Sequence, residues 1–228
     1  MRKVVVGAFV SLDGVMQAPG APQEDPSGGF RFGGWTVPYS EPATGAAISE
    51  LFSAPFELLL GRRTYDIFAA HWPHVQSDPA GGDFNARNID IARQFNAVTK
   101  HVATHRSESL TWQNSRALGA DVPAAVRGLK QGTGPLLLTQ GSTELVQLLL
   151  AHDLVDELRL LTYPVVLGRG KRLFQGTAAP GSFRVLRASV SPGGVVIATY
   201  ARQGDVRTGS FALDRPSAAE LERRKQWR

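Results

Sequence analysis

The order of apolar segments constrains the fold of this chain more than any other feature of its sequence. Short apolar runs alternate with helical patterns as far as residue 152, and only strand patterns follow from residue 156 to residue 202. Strands separated by helices pair in parallel, whereas strands joined by short turns pair antiparallel. The sequence therefore predicts one α/β domain over residues 1–204, with a mostly parallel central sheet and antiparallel C-terminal strands, followed by a tail over residues 205–228.

Hydrophobic periodicity and turn residues divide the domain into individual elements. The predicted helices are Ala43–Phe52, Arg62–His71, Asp83–Asn96, Asp121–Lys130 and Ser142–His152. The predicted strands are Val4–Val10, Glu57–Leu60, Val98–Thr104, Leu110–Asn114 and Pro135–Gly141, and three more within DELRLLTYPVVLG, SFRVLRASVSP and GVVIATYAR. This order contains no internal repeat.

Two segments fit no regular pattern of the domain. Residues 15–40 are rich in Gly and Pro yet contain Phe30, Phe32 and Trp35, which favours a loop that packs over a site as a lid. In the tail a capping pattern predicts a short helix. Leu221 and Trp227 of that helix either pack against a second subunit or belong to a fraying terminus.

Composition excludes several classes of function. Most of the net charge of +5 lies in the tail, because the residues before Arg215 carry only +2, so a nucleic-acid interface is not expected. The absence of cysteine excludes disulfides and thiolate metal sites and is typical of a cytoplasmic protein. No apolar run is long enough to cross a membrane, and no histidine cluster indicates a metal site.

The segment LLLGRRTYDIF, residues 58–68, joins a buried strand directly to a helix. The first N–H groups of a helix have no partner within it and lie at the positive end of its dipole, so they attract phosphate. Gly61 allows close approach, Arg62 or Arg63 supplies positive charge, and Thr64 supplies a hydroxyl group. The alternative is an ordinary turn with two exposed arginines.

The segment GPLLLTQGSTELVQLLL, residues 134–150, repeats the same construction. Two such helix starts in one sheet would hold both ends of a pyrophosphate, although the GxGxxG fingerprint is absent. The alternative is a helix capped by Ser142 or Thr143 with Glu144 in its first turn. A third strand ends at Thr104, His105 and Arg106, which suit a ribose phosphate or else form a solvated loop.

These segments, together with FVSLDGVMQAPG and LVDELRLLTYPVVLGRGKRLF, resemble the dihydrofolate reductase superfamily. Within it the chain is similar over residues 2–202 to the C-terminal reductase domain of the bifunctional deaminase–reductase of bacterial riboflavin biosynthesis, and QAPGAPQEDPSGGFRFGGW is similar to a stand-alone subgroup. The resemblance implies a three-layer dihydrofolate-reductase-like fold, NADPH as cofactor, hydride transfer to a pyrimidine- or pteridine-like small molecule, and a homodimer.

The resemblance also implies roles for particular residues. The cofactor residues would be Gly61, Arg62, Arg63, Thr64, Thr104, His105, Arg106, Gly141, Ser142, Thr143 and Glu144. The substrate side would be lined by Leu12, Gly14, Tyr163 and Pro164. Asp13 would be the catalytic acid, the alternative being that it bonds backbone at a strand end.

The chain also departs from the family patterns. The second turn reads QGS where dihydrofolate reductases have two glycines, and neither Glu41 nor Glu50 lies in a recognisable pteridine-anchoring motif. Folate reduction is therefore not expected, and the deaminase half with its zinc ligands is missing. A non-catalytic NADP(H)-binding redox sensor is the alternative function.

Overall fold

One eight-stranded sheet forms the centre of the molecule. The computed structural model describes residues 1–75, 86–175, 179–212 and 214–226. The strands are β1 (Val4–Ser11), β2 (Phe56–Gly61), β3 (Lys100–Ala103), β4 (Ser115–Ala117), β5 (Leu136–Gln140), β6 (Glu157–Tyr163), β7 (Ser182–Val190) and β8 (Val196–Gly204). Their order across the sheet is β4-β3-β2-β5-β1-β6-β8-β7. The first six strands in this order pair in parallel, and β8 pairs antiparallel with both β6 and β7. The predicted fold class is confirmed.

Helices cover both faces of the sheet and make a three-layer structure. They are α1 (Pro42–Leu51), α2 (Arg62–His71), α3 (Ala86–Ala97), α4 (Val122–Gln131) and α5 (Thr143–Ala151). A further helix, α6 (Ala218–Gln226), lies in the tail and buries none of its described side chains. Leucines and valines of α5, with Val126 of α4, pack on one face against alternate residues of β1. Aromatic side chains of α2, α3 and their flanking loops pack on the other face. Thus α2 and α5 approach the sheet from opposite sides.

One predicted strand is wrong. Residues 110–114 form a turn, and the strand β4 follows them at Ser115–Ala117. Trp112 is buried and its backbone N–H donates to the Tyr65 hydroxyl at 2.8 Å, while Asn114 adopts a left-handed backbone with φ 59°. The Trp112 N–H is therefore bonded to a side chain and not to a neighbouring strand, and the left-handed backbone of Asn114 interrupts an extended conformation. The strand predicted over residues 98–104 is shorter, and the first residues of the helix predicted from Asp83 lie outside the described residues.

The loop predicted as a lid, residues 15–40, packs over the carboxyl end of β6. Phe30 and Trp35 are buried with Tyr163 and Leu161 in a third apolar cluster. The Trp35 ring meets the Tyr163 ring edge-on at 5.4 Å, and its Nε1 donates to the Gln17 carbonyl at 2.8 Å. These buried contacts fix one side of the lid to the sheet.

Other expectations concern association and the tail. Among the described residues, no helix is both long and apolar enough to cross a membrane. The structure contains one chain, so the homodimer stays a prediction. Leu221 is exposed on α6, and Trp227, its suggested companion in packing, lies outside the described residues.

Candidate cofactor and substrate site

The candidate site residues lie along one edge of the sheet. Five parallel strands, in the order β3, β2, β5, β1 and β6, end at this edge. The candidate residues lie at the ends of these strands or directly after them, in segments 104–106, 61–64, 141–144, 12–14 and 163–164, respectively. Four strand spacings separate the first from the last, a distance on the order of 19 Å. In open parallel sheets ligands bind outside this edge.

The two helix starts that the sequence indicates are in direct contact. The backbone N–H of Gly61, which precedes α2, donates to the Ser142 hydroxyl oxygen, which precedes α5, at 2.8 Å. The chain bends sharply into α5, because Gly141 and Ser142 both adopt left-handed backbones with φ 72° and 62°. This hydrogen bond brings the positive ends of two helices of ten and nine residues to one place.

Among the residues that the structure describes, no side chain caps either helix start. Gly61 has none to offer, and Ser142 makes no capping hydrogen bond because its hydroxyl accepts from Gly61. The alternative that Ser142 caps α5 is therefore wrong. Within the described part of the chain the hydroxyl groups of Thr64 and Thr143 have no protein partner. The site thus presents open N–H donors and two hydroxyl groups, the arrangement that binds phosphate.

Arg62 connects the first helix start with the loop after β3. Its Nε donates to Asp66 at 2.9 Å, which raises the pKa of Arg62, and its Nη1 donates to the Ser109 hydroxyl. The guanidinium also lies 5.8 Å from the centroid of the Tyr65 ring. Ser109 in turn donates to the Arg106 carbonyl at 2.7 Å. The guanidinium is therefore held in a fixed position beside the loop of residues 104–109.

The loop after β3 exposes the side chains of His105 and Arg106. Thr104 is buried, and its hydroxyl accepts the Arg106 N–H at 3.2 Å, which shapes the turn. His105 and Arg106 are exposed in this loop, whose Arg106 carbonyl accepts from Ser109, the partner of Arg62. The carboxylates of Asp66 and Glu108 also act on Arg62, so this end of the edge holds both cations and acids, while Glu144 lies exposed in the first turn of α5.

Arg63 faces the lid instead. Its Nη1 donates to the Ser27 hydroxyl at 2.9 Å and lies 3.5 Å from the Asp25 carboxylate. The two arginines of the turn therefore point to different partners: Arg62 to the loop after β3 and Arg63 to the lid.

Asp13 is held by four hydrogen bonds at the end of β1. Its carboxylate accepts from the Ser11 hydroxyl at 2.6 Å, from the N–H groups of Leu167 and Gly168 at 3.1 and 2.9 Å, and from Arg172 at 3.4 Å. Burial raises the pKa of Asp13, but the hydrogen bonds from Ser11, Leu167 and Gly168 outweigh it and lower the pKa to about 2. The hydrogen bonds from the Leu167 and Gly168 backbone favour the alternative of a structural role for Asp13, and its catalytic role stays a prediction.

The predicted substrate residues surround this turn. Gly14 has φ 80°, and its carbonyl accepts the Leu173 N–H at 2.9 Å. Leu12 is 63% exposed, and its N–H donates to the Val165 carbonyl at 2.8 Å. Tyr163 is buried under the lid, and burial raises its pKa to about 12. Pro164 is exposed beside it. Leu12, Gly14 and Pro164 are open to a ligand, whereas Tyr163 belongs to the lid contact.

A cavity of about 320 Å³ lies between the lid and the segment after β6. Its lining residues are Gln17, Ser27, Gly28, Phe30, Arg169, Gly170 and Lys171. Gln17, Asp25, Lys171 and Arg172, which organise this region, were not predicted as site residues. The Gly/Pro content of the lid predicts a loop. It does not predict which residues the loop contacts, because those residues lie about 150 positions further along the chain.

Comparison with known proteins places the chain among reductase-like folds. The family model described as the RibD C-terminal domain matches residues 2–197. A putative riboflavin biosynthesis protein from Shewanella sp. PV-4 is 18% identical with a TM-score of 0.58, over 88% of this chain and 99% of that one. A pyrimidine reductase-like protein from Corynebacterium diphtheriae is 12% identical with a TM-score of 0.54, over 90% and 93%.

The dihydrofolate reductase of Enterococcus faecalis, solved with NADP(H) and RAB-propyl, is 12% identical with a TM-score of 0.53, over 88% of this chain and 96% of that one. At these identities the solved structures establish the fold, and the family match over most of the chain establishes the family.

Proposed function

The chain belongs to the RibD C-terminal domain family of reductase-like proteins, and we propose that it is an NADPH-dependent reductase of a small heterocycle. The observation that carries the proposal is the pair of uncapped helix starts joined by the Gly61–Ser142 hydrogen bond. A pyrimidine- or pteridine-like ring is the proposed substrate, in line with the pyrimidine reductase-like and riboflavin biosynthesis proteins that share the fold.

The residues at the sheet edge fit a phosphorylated dinucleotide. The first N–H groups of α2 and α5 and the hydroxyl groups of Thr64 and Thr143 would bind the pyrophosphate. Gly141 leaves the approach open, since a Cβ atom there would meet no other atom within 4 Å. Arg62, His105 and Arg106 would bind the 2′-phosphate, because a guanidinium provides paired donors for phosphate oxygens. When bound, NADPH supplies the hydride.

The other end of the edge would receive the substrate ring. Leu12 offers an exposed apolar surface beside the Gly14 turn, and the lid covers the neighbouring end of β6. Asp13 keeps residues 167–168 and Arg172 against this turn. In this proposal the chain binds and orients the ring, excludes water beneath the lid, and leaves the chemistry to the cofactor.

One observation favours the second candidate, a redox sensor that binds NADP(H) without turnover. Asp13 is the acid assigned to catalysis, and its carboxylate is occupied by hydrogen bonds from Ser11, Leu167, Gly168 and Arg172. A site without a proton donor would bind cofactor but reduce rings poorly when a ring nitrogen must be protonated.

Oxidation of NADPH in the presence of a panel of oxidised pyrimidine and pteridine rings tests the proposal, with equilibrium binding of NADPH measured on the same preparation. A reductase binds NADPH and oxidises it only when a ring acceptor is present. Binding without turnover across the panel would favour the sensor. Failure to bind NADPH at all would contradict both candidates.

A further inference from the structure

A carboxylate of the lid lies between two cations that belong to different parts of the site. The Asp25 carboxylate accepts from Lys171 Nζ at 2.6 Å, and its other oxygen lies 3.5 Å from Arg63 Nη1 in the first turn of α2. The Ser27 hydroxyl accepts from the same Arg63 nitrogen at 2.9 Å. The lid therefore reaches across from the segment after β6 to the helix start that is proposed to bind phosphate.

Asp25 is part of a built structure within the lid. Its side chain is 13% exposed, and Gln17 Nε2 donates to both the Asp25 and the Ser27 carbonyls at 2.9 Å. Gln17 also accepts the Lys171 N–H at 3.0 Å, so the same residue ties the lid to the segment after β6. Burial raises the pKa of Asp25, but hydrogen bonds from Lys171 and Ser27 lower it overall. The carboxylate is thus charged and held in one place.

The two ends of this bridge differ in strength. At the Lys171 end the separation is 2.6 Å and the Lys171 side chain is 30% exposed. At the Arg63 end the separation is 3.5 Å and the Arg63 side chain is 60% exposed. Exposed ion pairs contribute little and are screened by salt. An anion that arrived at the start of α2 would therefore replace the lid at Arg63 more easily than at Lys171.

We infer that Asp25 is an intramolecular competitor for the cofactor phosphate: its carboxylate and the Ser27 hydroxyl occupy Arg63, and the cofactor takes Arg63 over from them. This inference rests on the proposed function, because it needs a phosphate at the start of α2. Asp25 then acts as a positioning residue. It couples the position of the lid to the presence of cofactor, while Lys171 and the buried Trp35 keep the remainder of the lid attached.

A double-mutant cycle on the full chain tests the inference, with NADPH as the probe in calorimetric titration. Asp25→Asn keeps the size of the side chain and removes its charge. In the presence of Arg63 we expect Asp25→Asn to tighten NADPH binding about two- to fivefold, the range that corresponds to an exposed ion pair. Arg63→Met alone should weaken NADPH binding about tenfold. In the Arg63→Met background Asp25→Asn should leave the Kd unchanged.

The effect of Asp25→Asn in the two proteins, with and without Arg63, distinguishes competition for Arg63 from a structural role of Asp25. If Asp25 only steadies the lid, Asp25→Asn will weaken NADPH binding or will change the Kd equally in both backgrounds, and either result overturns the inference. Ser27→Ala removes the other acceptor of Arg63 with a smaller change to the lid, and it should also tighten binding in the Arg63 protein alone. If the wild-type chain binds no NADPH, the proposed function fails. If it binds NADPH with no coupling between Asp25 and Arg63, only the competition fails.

Discussion

The two halves of the sheet edge differ in how far the protein satisfies its own polar groups. On the cofactor side, the starts of α2 and α5 carry no side-chain caps, and Thr64 and Thr143 have no partner within the described residues. On the lid side, Asp13 accepts four hydrogen bonds, and the Trp35 and Gln17 side chains are buried and bonded. Open donors mark a place for a ligand, whereas satisfied groups mark a structure that must stay fixed.

The comparison implies that substitutions on the lid side act mainly on stability, except at Asp25 and Ser27, which contact Arg63, and that substitutions on the cofactor side act mainly on binding.

The largest loss of stability is expected from Trp35→Ala. The ring is buried against Tyr163, and its Nε1–H donates to the Gln17 carbonyl. Removing a buried aromatic side chain and this hydrogen bond should lower the free energy of unfolding by about 3 kcal/mol in a denaturant titration. Phe32→Ala, in the same loop but 44% exposed, is the matched control and should cost less than about 1 kcal/mol. Equal losses for the two variants would contradict the anchoring role of Trp35.

Asp13→Asn should lower the free energy of unfolding by about 1 to 2 kcal/mol at pH 7, less than the full pKa shift implies, because solvent screens the partly exposed carboxylate. Folding lowers the pKa of Asp13 from 3.8 to about 2, so between these values the folded chain binds fewer protons than the unfolded chain. The contribution of Asp13 is therefore complete above about pH 4 and is lost as the pH falls toward 2. Denaturant titrations from pH 2 to pH 7 should show this loss in the wild type and a flatter profile in the variant.

Asp90→Asn provides the control for that profile. Its carboxylate is 59% exposed and pairs with Arg93 on the same helix face, so its effect should stay below about 0.5 kcal/mol. If Asp13→Asn changed the rate of NADPH oxidation while leaving stability intact, Asp13 would be catalytic after all.

Ser142→Ala should have a smaller effect on stability than Trp35→Ala or Asp13→Asn and a clear effect on cofactor binding. The substitution leaves the Gly61 N–H without its acceptor and should cost about 1 kcal/mol. It also releases the contact that holds the two helix starts together, so NADPH should bind about tenfold more weakly in a calorimetric titration. Thr143→Ala keeps the Gly61–Ser142 contact and should leave stability nearly unchanged. An unaltered Kd in Ser142→Ala would mean that the joined helix starts do not bind the cofactor.

Local sequence signals were enough for the helices, for seven of the eight strands and for the segments at the edge of the sheet. The strand–glycine–helix pattern at Gly61 and Gly141 follows from periodicity and glycine placement, and the structure brings both helix starts together. The sequence did not reveal that Ser142 bonds to Gly61, because the two residues are 81 positions apart and Ser142 adopts an unusual left-handed backbone. In isolation its hydroxyl fits a helix cap equally well.

Sequence reasoning failed where a tertiary contact determined the local conformation. The alternation in residues 110–114 indicates a strand, but the Tyr65 hydroxyl binds the Trp112 N–H and a turn results. The lid contacts between Asp25 and Lys171 join residues 146 positions apart, and no periodic pattern carries that information. From sequence alone a charged residue in a Gly/Pro-rich loop is expected to be exposed to solvent, because its ion-pair partner is determined by the tertiary structure.

The most direct test of the central claim is a calorimetric comparison of NADPH and NADH binding to the wild type and to Arg62→Ala, with Arg62→Lys as the matched variant that keeps the charge. We expect NADPH to bind more tightly than NADH. Arg62→Ala should remove most of that preference, and Arg62→Lys should restore part of it, because a lysine lacks the planar pair of donors. Equal affinity for both nucleotides in all three proteins would contradict a 2′-phosphate site at Arg62, and no binding of either nucleotide would contradict a cofactor site at this edge of the sheet.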